Sequence, residues 1–295
     1  MLSIIITAYK EPKTIELAIE SFVKQKIEGE FEILVVCPDE ETKKVVNEIS
    51  KKNSNVKHVQ DPGKGKPVAL NIAFKHAKGD ILVLTDGDVY SGEDSIKELL
   101  KPFEDKRVGA VTGRPISLND SDTMLGYWSK LLTDAGAHSV RLERDNKNKF
   151  IVCSGYLFAI RKVIDKIPED ALADDAVISH MIWNQDYKIK YAPNALVYVK
   201  YPTNFNDWVL QKKRSTGGYR QIEQYFGDGP KMRSFWREIV FGWYRALAYP
   251  GNVKEFKYTI LLLFARLYLW GRVFWDLRVK KESFDDTWKR VESTK

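Results

Sequence analysis

Short apolar runs alternate with amphipathic segments over the first part of the chain. The runs hold aliphatic residues without a polar alternate, which is typical of strands buried on both faces. The segments between them carry apolar residues at helical spacing. The pattern predicts, in order, a strand at 2–9, a helix from Glu11, a strand at 31–37, a helix ending near Ile49, a strand at 56–59, a helix at 68–78 and a strand from Ile81. Such alternation favours a parallel sheet that helices cover on both faces.

The second half of the chain predicts longer elements. We expect a strand at 108–112, a helix at 121–142, a strand–glycine turn–strand unit at 150–161 and a helix from Asp174. Beyond residue 230 the composition becomes aromatic and basic, most clearly at 235–249 and 258–275. We therefore divide the chain into an α/β domain at 1–230 and a helical extension at 231–295.

The stretch 258–275 is the most apolar part of this extension, but Arg266 and Arg272 interrupt it. Its uninterrupted part, 258–265, is far shorter than the roughly 20 apolar residues that cross a bilayer. Aromatic residues mixed with arginine suit an amphipathic helix in a membrane interface. A helical hairpin packed on the α/β domain is the alternative. Because the start of the chain lacks the basic region of a signal peptide, we expect a cytoplasmic protein, peripheral on the inner face of the cell membrane.

Charge and cysteine content narrow the functional classes. The net charge of +7, from 47 basic and 40 acidic residues, suits anionic ligands or a membrane surface. It is no nucleic-acid signature by itself, and we expect no nucleic-acid partner. Cys37 and Cys153 lie in apolar runs, which indicates buried thiols rather than a disulfide. The loop 63–66 fits neither G-x-G-x-x-G nor a Walker loop, which argues against a dehydrogenase or a P-loop NTPase.

Two carboxylates follow the predicted strand that starts at Ile81. Asp86 and Asp88 stand at its carboxyl end, where open α/β sheets bind ligands. Strand residues two apart point to the same side, and Gly87 lets the backbone bend between them. Two such carboxylates repel each other unless a cation lies between them. Mg²⁺ is commonly coordinated by carboxylates together with substrate phosphates. A plain polar turn is the other interpretation of the same tripeptide.

Three further polar sites allow two interpretations each. Asp39 follows the strand 31–37, where it suits either a helix cap or contact with a nucleotide base or ribose. Asp174 and Asp175 open a predicted helix and suit either a favourably charged helix terminus or a chemical role. The segment 211–214, Gln-Lys-Lys-Arg, suits either a solvated helix face or a phosphate site, since arginine donates bidentately to phosphate oxygens.

Four segments together resemble family 2 glycosyltransferases. Each is weak alone, but they occur in the family's order and at its spacing, at residues 3–9, 32–36, 65–71 and 85–88. The resemblance covers roughly residues 1–225. Residues 150–161 are similar to the family's acceptor-site segment. The pair at 174–175 stands where the family carries an acidic pair, here Asp-Asp rather than Glu-Asp.

The segment 211–214 is similar to the Gln-x-x-Arg-Trp element of processive and lipid-linked members of that family. Ser215 stands where the tryptophan would be, so the residue that stacks on the acceptor is missing from the motif. Nearby Trp208, Tyr219, Arg220 and Tyr225 are candidates for lining an acceptor path, or for core and membrane-facing positions.

The resemblance implies a GT-A type α/β fold, with a Rossmann-like mixed sheet flanked by helices and a C-terminal helical membrane-interface extension. It implies a metal-dependent, inverting transfer from a UDP- or GDP-sugar to an acceptor hydroxyl or lipid phosphate at the membrane surface, in polysaccharide or glycolipid synthesis. The acceptor would be lipid-linked or a saccharide. A nucleotidyltransferase and a non-catalytic nucleotide-binding protein are the alternatives.

The resemblance also implies a role for each matching residue. Asp175 would be the general base and Asp174 its neighbour. Asp88, with Asp86 alongside, would hold Mn²⁺ or Mg²⁺. The residues expected to bind the nucleotide sugar are Thr7, Ala8, Tyr9, Glu11, Asp39, Lys66, Asp86, Gln211 and Arg214. Lys66 and Arg214 would help to hold the diphosphate, and Asp39 with the loop 8–11 would hold the base and ribose.

Overall fold

The computed structural model describes residues 1–227, 229–232, 243–278 and 292–294. The strands are β1 (Leu2–Thr7), β2 (Phe31–Cys37), β3 (Val56–Gln60), β4 (Ile81–Asp86), β5 (Val89–Ser91), β6 (Val108–Ser117), β7 (Leu157–Arg161) and β8 (Lys188–Val199). The helices are α1 (Ile15–Val23), α2 (Glu40–Ser50), α3 (Lys66–His76), α4 (Ser95–Leu100), α5 (Met124–Leu131), α6 (Ser139–Asn146), α7 (Asp174–Trp183), α8 (Phe205–Phe226), α9 (Trp243–Ala248) and α10 (Val253–Arg278). A π-helix, Leu132–His138, joins α5 to α6.

All eight strands form one mixed sheet in the order β3-β2-β1-β4-β7-β6-β8-β5. The first four strands pair in parallel, as the alternation of strands and helices predicted. β7 is antiparallel to both β4 and β6, and β8 returns parallel to β6. β5 pairs antiparallel with β8 at the sheet edge. The prediction of a mixed sheet flanked by helices is confirmed.

Successive residues of the central strands belong to two apolar cores on opposite faces of the sheet. In β1, Ile5 packs into one core, whereas Ile4 and Ile6 pack into the other. In β2, Leu34 and Val35 divide in the same way. Because helices cover both faces, neither face of these strands needs polar side chains, which accounts for the unbroken apolar runs of the sequence.

The segment 150–156 is not the strand that the sequence predicted, and only β7 of the predicted strand–turn–strand unit forms. The side chains at 150–153 are buried, as in a strand. Their backbone N–H groups, however, donate to side chains of other elements. Cys153 donates to Ser179 Oγ (2.9 Å) and Ser154 to Thr112 Oγ1 (2.9 Å). Side chains therefore replace a sheet partner, so burial here does not imply a strand.

Several predicted helices form with shifted ends. α1 begins at Ile15 rather than Glu11, since the Glu11 carbonyl accepts from the N–H groups of Thr14 and Ile15 in a turn. α3 occupies Lys66–His76 rather than 68–78. The helix predicted at 121–142 begins at Met124 and continues through the π-helix and α6 to residue 146.

The helices α9 and α10 pack on α5 and α8 through a third apolar cluster. Its buried members are Leu125, Tyr127, Trp128, Leu131, Trp208, Ala246, Leu262 and Ala265. Tyr127 OH lies 2.7 Å from Thr259 Oγ1, and Trp128 Nε1–H donates to the Tyr258 carbonyl (2.7 Å). The helix expected at 258–275 is thus present, whereas residues 235–242 of the predicted stretch 235–249 lie outside the described residues.

The opposite side of α10 is apolar and exposed to solvent. The exposed large apolar residues of this helix are Val253, Phe256, Leu261, Phe264, Leu267, Tyr268 and Trp275. Tyr244 and Leu247 of α9 are exposed as well. In the part of the chain that the structure describes, no helix combines the length and the apolar character needed to cross a membrane.

Candidate active site

The carboxyl ends of β1 and β4 lie side by side, because Thr7 and Asp86 are partners in the parallel register. Thr7 Oγ1 donates to Asp86 Oδ1 at 3.4 Å. Asp86 is the last residue of β4, whereas Asp88 lies in the turn that leads to β5. Strand periodicity therefore does not set the direction of the Asp88 side chain, contrary to the premise of the sequence prediction.

Gly87 is needed for a close approach between two segments. A Cβ at this position would lie 2.5 Å from Glu11 Oε2 and 2.8 Å from Ala8 Cβ. The loop 8–11 therefore lies directly against the turn that contains Asp86 and Asp88. This places Thr7, Ala8 and Glu11 near the turn, whereas their contact with a nucleotide sugar stays a prediction. The glycine is required by this contact and not by a positive φ.

Asp39 is a helix cap that also fixes the loop 8–11. Its Oδ1 accepts from the Thr42 N–H at 2.9 Å at the start of α2. Its Oδ2 accepts from the Lys10 N–H at 2.7 Å. Burial opposes the charged form, but the hydrogen bonds from Thr42 and Lys10 outweigh it and lower the pKa of Asp39. The cap is confirmed, and contact with a base or ribose stays a prediction.

Lys66 joins the carboxylates of Asp86 and Asp174. Its Nζ lies 2.8 Å from Asp86 Oδ1 and 3.2 Å from Asp174 Oδ2. All three side chains are about a quarter exposed or less. Burial disfavours the charged ammonium, but the charges of Asp174 and Asp86 outweigh it and raise the pKa of Lys66. A lysine therefore connects two aspartates that are far apart in the sequence.

Asp175 is held by two backbone N–H groups. Its Oδ2 accepts from Gly155 at 3.0 Å and its Oδ1 from Ala176 at 2.8 Å. Burial and then the charge of Asp174 raise the pKa of Asp175, and Lys66 partly offsets them. The N-cap of α7 is Ala173, with no side-chain cap. Neither aspartate is therefore the capping residue of α7.

A cavity of about 230 Å³ brings half of the predicted site residues together. Predicted site residues in its lining are Lys66, Asp86, Asp174, Asp175, Gln211 and Arg214. The Oε1 atom of Gln211 is buried without a hydrogen-bond partner, so it can accept from a ligand hydroxyl or N–H. Thr7, Ala8, Tyr9, Glu11, Asp39 and Asp88 do not line this cavity.

Apolar and aromatic residues also line the cavity. They come from the helical segment 124–146, from α8 and from the residues after β8, and include Leu125, Leu132, Tyr201, Pro202 and Trp208. Trp208 thus lines the cavity, as expected of a residue that lines a path into the site. It also packs against Trp128 at a ring-centroid distance of 5.3 Å. The side chains of Tyr219 and Arg220 lie outside the described part of the chain, and Tyr225 packs beside the apolar core.

Two lining residues were missed by sequence reasoning. Burial, followed by the charges of Asp88 and Asp86, raises the pKa of Tyr156, so this phenol lies near both carboxylates. The sequence contained a signal for Tyr156, because this residue follows Gly155 in the segment 150–161 that is similar to the family's acceptor-site segment. Arg141 is buried, and its Nε donates to the Val152 carbonyl at 3.2 Å. No sequence pattern separated Arg141 from the exposed charges of its helix.

His180, the histidine nearest the site in sequence, belongs to the core. Its ring stacks on Phe226 at 5.1 Å and lies 4.5 Å from Phe150. Its Nδ1 has no hydrogen-bond partner, and burial lowers the pKa to about 4. His180 is not part of the cavity lining.

The donor set for a metal ion consists of carboxylate oxygens. Within the described ranges, no group of three or more histidine, cysteine, aspartate and glutamate side chains is placed to hold a metal ion. Asp86 and Asp88 nevertheless fit a hard cation, because Mg²⁺ is commonly bound by one or two carboxylates together with substrate phosphates. The donor chemistry of this site is therefore compatible with a divalent ion that a diphosphate helps to bind.

Comparisons with known proteins give one consistent result. The sequence model of "Glycosyl transferase family 2" matches residues 3–167. A "Probable glycosyltransferase YdaM" of Bacillus subtilis (strain 168) is 28% identical over 232 residues, 75% of this chain and 55% of that protein. A "Poly-beta-1,6-N-acetyl-D-glucosamine synthase" of Staphylococcus epidermidis is 24% identical over 247 residues, 81% of this chain and 57% of that protein. The chain thus spans little more than half the length of these relatives.

Two solved structures share the fold. One is the mannosyltransferase PcManGT from Pyrobaculum calidifontis, in complex with GDP-Man and Mn²⁺, with a TM-score of 0.63, 19% identity, and coverage of 92% of this chain and 81% of that one. The other is S. aureus TarS 1–349, with a TM-score of 0.51, 18% identity, and coverage of 92% and 82%. The GT-A type fold expected from the sequence is confirmed.

Proposed function

Because the chain belongs to glycosyl transferase family 2, we propose that it transfers a sugar from a UDP- or GDP-sugar to an acceptor hydroxyl or lipid phosphate, with inversion at the anomeric carbon. One observation carries the proposal. Lys66 Nζ contacts both Asp86 at the end of β4 and Asp174 at the start of α7, so the proposed donor carboxylate and the proposed acceptor-side pair meet in one cavity. Such a transfer needs both groups within reach of a single anomeric carbon.

The donor side of the proposal rests on the ends of β1, β2 and β4. Asp88 and Asp86 would hold Mn²⁺ or Mg²⁺, which would neutralise the diphosphate leaving group when bound. Lys66 and Arg214 would add positive charge for the diphosphate. Thr7, Ala8, Tyr9, Glu11 and Asp39 would receive the base and ribose, since Asp39 fixes the loop 8–11 through Lys10.

The acceptor side rests on Asp175 and Gln211. Asp175 is the proposed general base, because its pKa is raised and its carboxylate is fixed by Gly155 and Ala176. Asp174 contributes negative charge beside it and is itself paired with Lys66. The unpartnered Oε1 of Gln211 would accept a hydrogen bond from a sugar hydroxyl.

We place this reaction at a membrane surface. The motivation is the exposed apolar side of α10, where Phe264 is 65% and Trp275 is 55% exposed. Lys257 is exposed on the same helix and suits anionic lipid headgroups. A lipid-linked acceptor would then reach the cavity from the side lined by Leu125, Leu132 and Trp208.

The test is a panel of UDP- and GDP-sugars with Mn²⁺ or Mg²⁺, scored first by thermal shift, because a bound donor stabilises the fold by mass action. GDP-mannose is included because PcManGT holds GDP-Man. The stabilising donor is then incubated with saccharide and polyprenyl-phosphate acceptors. We expect release of the nucleoside diphosphate and an inverted glycoside. Release of pyrophosphate would indicate a nucleotidyltransferase instead, and stabilisation without turnover a binding protein.

Metal dependence is tested separately with Asp88→Ala. Loss of one carboxylate ligand should abolish both transfer and divalent-dependent nucleotide binding. Asp94→Ala is the control, since this residue lies on the same connection, beyond β5. Undiminished transfer by the wild-type chain in EDTA would contradict the metal role while leaving the transfer itself in place.

A further inference from the structure

Lys66 occupies an unusual place for a cation. It is the first residue of α3, after Gly65 at φ 103° and before Pro67. The N-terminus of a helix carries a partial positive charge, so a lysine is disfavoured there and an anion is favoured. Burial disfavours its ammonium further. The position is tolerated because Asp86 and Asp174 supply two negative charges within 3.2 Å of Nζ.

Lys66 contacts one of the two carboxylate oxygens of Asp86, a residue of the proposed metal site. Nζ is 2.8 Å from Asp86 Oδ1, and the same oxygen accepts from Thr7 Oγ1 at 3.4 Å. An ammonium at hydrogen-bond distance and a divalent cation cannot use that lone-pair region together. Lys66 and the cation therefore compete for Asp86.

We propose that Lys66 is an internal counter-ion that suppresses binding of a divalent cation at Asp86 until a diphosphate offers Lys66 another anion. The proposal rests on the proposed function, because it assumes that Asp86 and Asp88 are the carboxylates a cation would use. It assigns Lys66 more than contact with the donor. The lysine makes cation binding depend on donor binding, because the two N–H donors that hold Asp86 and Asp174 can turn to phosphate oxygens.

Asp174 is the second carboxylate partner of Lys66 in this proposal. Its Oδ2 lies 3.2 Å from Lys66 Nζ, so the ammonium keeps one carboxylate partner when the other is taken by a cation. The adjacent Asp175 also interacts with the charge of Lys66. If this charge moves toward a diphosphate, the electrostatic potential at the proposed base Asp175 changes. Donor binding is thereby linked to the acceptor side.

The experiment measures Mn²⁺ binding without nucleotide, by the electron paramagnetic resonance signal of free Mn²⁺. The variants are Lys66→Met, which removes the charge but keeps most of the length, and Lys66→Arg, which keeps the charge. We expect Lys66→Met to bind Mn²⁺ about tenfold more tightly than wild type, a typical coupling between sites. Lys66→Arg should bind it as weakly as wild type.

Matched variants separate this effect from general electrostatics. Lys64→Met removes an exposed charge two residues away and should bind Mn²⁺ like wild type. Asp86→Asn in the Lys66→Met background should abolish the gain. If Lys66→Met does not fold by circular dichroism, Lys66→Gln replaces it, since its side chain is uncharged and shorter than that of lysine.

A second titration adds GDP or UDP. The nucleotide should strengthen Mn²⁺ binding more in wild type than in Lys66→Met, because only wild type releases a competing cation. Equal or weaker Mn²⁺ binding by Lys66→Met and Lys66→Gln would overturn the proposal, and so would the absence of any Asp86-dependent Mn²⁺ binding. Neither result bears on the transferase itself, which the donor and acceptor assays decide.

Discussion

Asp175 combines two properties that a general base needs. Its carboxylate is fixed by the N–H groups of Gly155 and Ala176, and its pKa is raised by burial and by Asp174. A raised pKa makes the carboxylate a stronger base toward an acceptor hydroxyl. Fixed geometry keeps it on the cavity side of α7, where it lines the same space as Asp86.

We expect Asp175→Asn to lower turnover by at least about a hundredfold, since loss of a general base typically costs 10²–10⁴ in rate. Donor affinity should change little, because the proposed donor contacts lie at other residues. One of the two backbone hydrogen bonds is lost, because the amide has a single acceptor oxygen. The measurement is steady-state transfer beside donor titration, with exposed Asp165→Asn as the control. Normal turnover would return the search for the base to Asp174, and a collapse of donor affinity would make Asp175 structural.

His180 should make the fold less stable in mild acid. Burial lowers its pKa from 6.5 to about 4. Between these values the unfolded chain binds a proton that the native chain does not, so the free energy of unfolding falls as the pH drops. The largest possible effect is about 3 kcal/mol.

The substitution His180→Leu should remove this dependence on pH, because it leaves an apolar side chain between Phe150 and Phe226. Urea denaturation at pH 7 and at about pH 4.5 measures it. Exposed His76→Leu should keep the wild-type slope. A wild-type slope in His180→Leu as well would show that other groups govern acid stability.

At the scale of elements, α10 is attached to α5 by a buried pair. Tyr127 OH and Thr259 Oγ1 are 2.7 Å apart, and both residues are fully or almost fully buried. Thr259 Oγ1 also donates to the Glu255 carbonyl at 3.0 Å, so Tyr127 must be the donor in the pair. The two partners should therefore differ in the cost of their removal.

We expect Thr259→Val to lower the free energy of unfolding by about 1–3 kcal/mol, because it leaves the Tyr127 hydroxyl buried without an acceptor. Tyr127→Phe should cost less, since Thr259 keeps its bond to Glu255. The double variant should resemble Tyr127→Phe. Chemical denaturation of the wild-type chain and the three variants completes a double-mutant cycle. Additive changes in the free energy of unfolding would mean that the hydrogen bond between Tyr127 and Thr259 does not form.

The periodicity of the sequence predicted the elements whose stability is local to one strand or helix. It failed where a buried backbone is satisfied by distant side chains, as at 152–155, and it did not predict the π-helix Leu132–His138 inside an otherwise helical segment. The order of β6, β7 and β8 in the sheet could not be predicted from the sequence pattern either. Their pairing depends on contacts between residues far apart in the chain, which no local pattern records.

At the scale of the whole molecule, half of the predicted site residues lie together in one cavity, but their arrangement was not predicted. Asp86, Asp174 and Asp175 were identified from strand ends and motif order. The ion pairs of Lys66 were not, because they join the end of β4 to the start of α7, which are far apart in the sequence. The same limit applies to Tyr156, whose position depends on β7 pairing with β4.

We expect the protein to bind membranes through its surface, and we expect this binding to depend on the exposed side of α10. The wild-type chain should sediment with phosphatidylglycerol-containing vesicles, and Phe264→Glu with Tyr268→Glu should reduce this. Point substitutions are preferable to deletion of 232–295, because α10 also covers Trp128 and Leu125. Leu17→Glu, on exposed α1, is the control. Equal sedimentation of all three proteins would count against an interfacial helix.

The position of β7 has a consequence for the chain while it is being made. β4 is complete once residue 86 has been synthesised, but its second neighbour, β7, begins only at Leu157. Until then an apolar strand of six residues presents an unpaired edge, whose backbone N–H and C=O groups can pair with another chain. Nascent or cleaved chains that end between residues 86 and 157 should therefore aggregate, whereas chains that extend through β7 have closed that edge.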